Sequence, residues 1–210
     1  MLRAQRPSAS LSQALGMGRR YLMNLARHGL SAPVPAERIW VDPMIVSDVL
    51  PHGVISRAKT GAIRSGDWDL KSEDLLSQPK VMVCIKHWVE GLSWDEAGGF
   101  RLVGARRDAS ELALRYSELD RMFARMQEEK RILSTTELGN RSWLSRDEIY
   151  VHIGRGPRLI FGGKGFHRMS AARALGIRCV PAVLGVVHEE AVEEWTSVVQ
   201  ARSWSRPTCC

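Results

Sequence analysis

Six of the seven residues from 162 to 168 could do chemistry together: Gly162, Gly163, Lys164, Gly165, His167 and Arg168, with Phe166 among them. The apolar run Leu159-Ile160-Phe161 precedes them. Ala171, Ala172, Ala174 and Leu175 follow, and Gly176 stands where a helix would stop. This order predicts a strand, a glycine turn and a helix that begins near His167. Such a turn gathers free backbone N–H groups and the positive end of a helix dipole at one point, which suits an anion. Gly165 would let the backbone approach an oxyanion, and Arg168 could grip two phosphate oxygens with its planar fork. His167 could donate to phosphate or exchange a proton near neutral pH. The candidate phosphate- or nucleotide-binding residues are therefore Gly163, Lys164, Gly165, His167 and Arg168, with His167 also a candidate catalytic residue. The plainer reading is a helix–strand connection with a capping histidine and a surface arginine.

A second group is Asp67-Trp68-Asp69. In an extended chain its two carboxylates would project to one side, where they could hold magnesium or act as a base. Asp67 and Asp69 are thus candidate catalytic residues remote from the glycine turn. The alternative is an Asp-rich turn anchored by Trp68 in the core.

Elements able to position these groups can be read from periodicity. Ile149, Val151 and Ile153 alternate with Tyr150 and His152, and Gly154 to Pro157 supply a turn, so 149–153 and 158–162 should form a hairpin ending at the glycine loop. From there the chain crosses over a helix to a strand at about 179–186, parallel to the previous one. Upstream, 39–46 reads as a strand broken at Pro43, and 79–91 as a helix with Pro79 at its first position. Leu112, Tyr116, Leu119, Phe123 and Met126 form the apolar stripe of a helix over 109–132. An amphipathic helix carrying Val192, Trp195 and Val199 should follow His188. His87, Trp88 and Trp94 read as packing residues.

Gly165-Phe166-His167-Arg168, followed by Ala171-Ala172 and Leu175-Gly176, resembles the second sequence box of the ParB/sulfiredoxin superfamily. Val180-Pro181-Ala182 is similar to the strand that closes that box. The likeness covers about 148–187. It implies an α+β domain with a small mixed sheet covered by helices, spanning 38–206, and nucleotide or phosphate binding at the turn. ATP or CTP with magnesium is the ligand class that follows, with a phosphotransferase or hydrolase as the activity. The alternative is a non-catalytic DNA-binding ParB-like module. Phe166 stands where sulfiredoxin has its reactive cysteine, which argues against sulfinic-acid reduction. Lys164 stands where the related small-molecule kinases carry an acid.

Composition fits a globular protein whose formal charge of +7 biases it towards nucleotides, nucleic acid or an anionic surface. No run of 18 apolar residues suggests a membrane span. Cys84, Cys179, Cys209 and Cys210 show no disulfide-like spacing, so buried thiols and a reducing cytoplasm are expected. Residues 1–37 form a basic extension without an acid before Glu37. It reads as a partly flexible segment, with a transit peptide or a surface-binding amphipathic helix as the other readings. Oligomeric state is not legible.

Overall fold

The computed structural model describes residues 11–56, 59–103, 108–132 and 148–202. The terminal pair Cys209-Cys210 and the first ten residues lie outside them. In chain order the elements are α1 (Leu11–His28), β1 (Arg38–Val41), β2 (Asp48–Val49), β3 (Ala62–Arg64), β4 (Glu73–Asp74), α2 (Pro79–Trp88), α3 (Gly99–Val103), α4 (Ala109–Glu129), β5 (Ile149–Gly154), β6 (Arg158–Phe161), α5 (Phe166–Ala174), β7 (Val180–His188) and β8 (Ala201–Arg202). The result is a mixed α/β architecture built on one eight-stranded mixed sheet.

The near-continuous apolar run of β7 explains its central place. All nine of its residues are buried, as in a strand covered on both faces. It pairs with β5 in parallel, with β1 antiparallel through 180–183, and with β3 in parallel through 186–188. The sheet order is β4-β2-β6-β5-β7-β1-β8. The predicted hairpin is present, with Val151 opposite Phe161 and Ile153 opposite Leu159. The crossover differs from expectation, because β7 is parallel to β5 and not to β6. Hairpin pairing had already filled that edge of β6 with β5, so the chain leaving α5 docks on the far side of β5.

Ala171 and Ala172 are fully buried, and their small side chains let α5 lie close on the sheet. Helix α2 packs on α5 and helix α4 flanks it. A satellite core of Cys84, Trp94, Leu112 and Tyr116 joins α2 to α4. There Asp120 accepts from Trp88 Nε1 at 3.2 Å and Trp94 Nε1 at 3.0 Å, and lies 2.9 Å from His87 Nε2.

The break expected at Pro43 is present, although the strand does not resume over 44–46, and a second local expectation fails for a physical reason. Strand β1 stops at Val41, where Asp42 caps a 3-10 turn that opens with Pro43. After His188 the chain forms two 3-10 turns, not an α-helix. Val198 and Val199 disfavour a helix, and Gln200 N–H donates to Trp40 O as the segment joins the sheet through β8. Trp195 is still fully buried there. Cys84 is a buried free thiol whose pKa burial pushes up to about 12, whereas Cys179 is disulfide-bonded and not the free thiol expected.

Candidate functional site

Strand β6 delivers the chain into the glycine turn with Gly162 N–H donating to Tyr150 O at 2.6 Å. A Cβ at Gly162 would come within 2.7 Å of Tyr150 Cδ1 and 3.0 Å of His152 Nε2, so glycine keeps the space in front of both rings open. Gly165 caps α5 with φ +76°, and a Cβ there would meet Glu148 O and Ile149 Cα at 3.1 Å. Its glycine is thus required by the strand it rests on.

The turn forms one wall of a cavity of about 710 Å3, a volume in the range of small-ligand sites. Leu50, Ile55, Leu102 and Phe166 give it an apolar side, while His52, Lys80, Lys164 and His152 supply the polar groups. Two helices start on this cavity. Helix α5 begins after Gly165 and α2 begins at Pro79 after Gln78, and neither has a side-chain cap. The N–H groups of an uncapped first turn carry the positive end of the helix dipole. Lys80 also lies 5.4 Å from the centroid of the Phe166 ring. A smaller cavity of about 370 Å3 lies across the turn, where His167 meets Arg115, Glu118 and, again, Lys80 and Lys164.

Burial sets the state of both histidines. His152 is pushed down to about 3 by loss of solvent, so it is neutral at physiological pH. Its Nδ1 accepts from Val186 N–H at 2.9 Å, which leaves the proton on Nε2, the atom facing Gly162 and the cavity. His167 is pushed down to about 4, first by burial and then by the charges of Arg115 and Lys80. Among the described residues its side chain has no hydrogen-bond partner. The turn therefore offers neutral imidazoles and lysine cations around an open space.

Of the predicted residues, the structure brings Gly163 and Lys164 to both cavities and Gly165, His167 and Arg168 to the smaller one. Arg168 differs from the others in its partners. It is buried, and its Nη1 donates to Glu148 Oε2 at 3.1 Å, while Arg38 Nη1 lies 2.5 Å from Glu148 Oε1. Through Glu148 it ties α5 to the starts of β5 and β1, a positioning role in addition to its place on the smaller cavity. Asp67 and Asp69 do meet, but on Arg155. That guanidinium donates to Asp69 from Nε and Nη2 at 3.0 Å and to Asp67 from Nη2 at 2.9 Å. Burial alone would raise the Asp69 carboxyl, but the hydrogen bonds and charge of Arg155, with His188, outweigh it and hold the pKa below the usual range. Trp68 is buried between His152 and His188, each with its ring centroid 5.9 Å away. The turn is the Trp-anchored alternative, and neither carboxylate lines either cavity.

Three cavity groups escaped the sequence reading: His52, Lys80 and His152. The signal for Lys80 was its place directly after Pro79 at a helix start. His152 looked like the polar half of an alternating strand, and only a strand buried on both faces turns such a histidine into a cavity group. Among the described residues no cluster of three or more His, Cys, Asp or Glu could hold a metal ion. The larger cavity is lined, among the described residues, by no carboxylate, so these residues fit an anion and not magnesium.

Comparison with known proteins returns no match: no family model, no curated protein and no solved structure is significantly similar to this chain.

Proposed function

We propose that this chain is a nucleotide- or phosphate-binding domain of ParB/sulfiredoxin-like fold, with the ligand's phosphates at the glycine turn. The observation that carries the reading is the convergence on one cavity of Lys80, Lys164, the Nε2–H of buried His152 and two uncapped helix starts. Lysine cations and N–H groups neutralise phosphate directly, without a metal ligand set. The apolar wall of Leu50, Ile55 and Leu102 would take a base or another flat group. The family reading is supported by the hairpin, the Gly165-Phe166-His167-Arg168 turn into α5 and the strand with Val180-Pro181-Ala182.

A phosphotransferase or hydrolase activity would rest on His167, whose neutral imidazole lies beside Lys80 and Arg115. His167→Ala separates the roles: proton transfer would lower turnover far more than affinity. A non-catalytic DNA-binding module is the second reading, favoured by the net charge of +7.

The test is a thermal-shift and calorimetric panel of ATP, CTP, GTP and pyrophosphate. A bound ligand raises Tm by mass action. Lys164→Ala and Lys80→Ala should each reduce the rise while the unliganded Tm stays put. A short duplex that binds with a steep salt dependence, while no nucleotide binds, would favour the DNA reading. No binding of any of them would remove both.

A further inference from the structure

Helix α1 is mounted the wrong way round for a helix of a free-standing domain. Its half-buried positions are Met17, Arg20, Tyr21, Asn24 and His28, which recur at helical spacing along one face. That largely polar face holds it to the body. Arg20 Nη1 donates to Thr60 O at 3.2 Å, Asn24 Nδ2 donates to Gly61 O at 3.0 Å, and His28 lies 3.5 Å from Glu193 Oε1. The opposite face carries Leu15, Gly18, Leu22 and Ala26, one apolar stripe at i, i+3, i+7 and i+11. Leu15 is 68% and Leu22 65% exposed, and Met23 and Leu25 widen the stripe on either side. Leu30, just past the helix end, is 93% exposed.

Amphipathic helices normally bury the apolar stripe and wet the polar one. Here hydrogen bonds orient the helix so that its leucines face away from the protein. Exposed Gly16 and Gly18 inside the helix weaken it further relative to alanine. A helix so placed needs a second surface to lie on.

We infer that the outward face of α1 docks the protein on an anionic lipid bilayer. Charge selects this occupant. Residues 11–28 contain Arg19, Arg20 and Arg27 and no acid, and exposed Arg19 and Arg27 flank the leucine stripe. Leucines that enter the acyl boundary while arginines meet lipid phosphates are the arrangement of an interfacial helix. A second copy fits poorly, because it would bring the same arginines together with no acid on either helix to pair them. No described helix is long and apolar enough to cross a membrane, so the contact is one of lying on the surface.

The full chain should float with vesicles of equal parts phosphatidylcholine and phosphatidylglycerol, and stay behind with phosphatidylcholine alone. Leu22→Glu should weaken binding at least about tenfold, since it places a charge in the apolar stripe. The double variant Arg19→Glu/Arg27→Glu should do the same and remove the salt sensitivity of what remains. Both changes lie on the outward face, so Tm should be unaltered and loss of binding will not reflect unfolding. Absence of the wild-type chain from the anionic vesicle fraction would overturn the inference, as would wild-type binding by Leu22→Glu. A dimer in sedimentation velocity that Leu22→Glu converts to monomer, with no flotation, would assign the face to a second copy instead.

Discussion

The glycine turn at 162–168 and the Asp67-Trp68-Asp69 turn each gather ionisable groups within a few residues, and they sit on opposite sides of the same wall, Trp68 against His152. In one, Lys80 and Lys164 line a cavity, and buried His152 and half-buried His167 stay neutral. In the other, Arg155 closes on both carboxylates and Asp69 is fully buried beneath it. The difference lies in access. A carboxylate gripped by a guanidinium is held ionised and is a poor base, whereas lysines that line a cavity can present their charge to a ligand. Glu148, with Arg38 and Arg168, belongs with the closed kind although it lies directly behind the open turn.

The closed kind should fail by unfolding. Glu148→Ala would leave Arg38 and Arg168 buried against each other, a change of about 3–5 kcal/mol by analogy with other broken buried ion pairs. A fall in Tm of roughly 10 °C or more should be seen by calorimetry. Nucleotide affinity of the molecules still folded should hold. A stable Glu148→Ala variant that loses affinity would mean that the ion pairs belong to the site itself.

The open kind should fail by losing ligand. Lys164→Ala or Lys80→Ala should weaken nucleotide binding by about 1.5–3 kcal/mol, the range for hydrogen bonds to charged groups, and leave stability within about 0.5 kcal/mol. Isothermal titration beside urea melts measures both numbers. Loss of stability without loss of affinity would erase the contrast between the two regions.

Acid should probe the histidines next. His152 and His167 have folded pKa values near 3 and 4, below their unfolded value of 6.5. Each contributes stability that is fully present above pH 6.5 and is lost as pH falls towards those values. Between pH 6 and 5 the loss should be about 1.4 kcal/mol per pH unit for each histidine, because the unfolded chain takes up the proton. His167→Gln should flatten the slope by one histidine's share. Denaturant midpoints across that range that do not move would mean the imidazoles are solvated.

How much of this was legible follows from range. The hairpin, the start of α5 within a residue of His167, and Gly163 and Lys164 at a cavity were all readable, because each depends on local spacing. The direction of Arg168 was not, since its partner Glu148 lies on another element twenty positions earlier. Nor was the capture of Asp69 by Arg155, 86 positions away, for a motif says which atoms are present and not which are satisfied. The side of β5 on which β7 docks was likewise hidden, because it depends on which strand edge the hairpin had already filled.

The smallest expected effect gives the sharpest discrimination. Asp67 is 75% exposed and its contact is with a partly exposed Arg155, so solvent screening leaves the pair little effect on stability. Asp67→Asn keeps the side-chain volume and one acceptor oxygen, and Arg155 keeps its two-pronged hold on Asp69. Urea midpoints should therefore barely move, and nucleotide affinity should match wild type with or without magnesium. If Asp67 were a metal ligand or a general base, the same change would abolish a magnesium-dependent gain in affinity, or cut turnover at least about a hundredfold with the fold intact. Only that second outcome would return this turn to the candidate site, since it requires a carboxylate that Arg155 releases when ligand arrives.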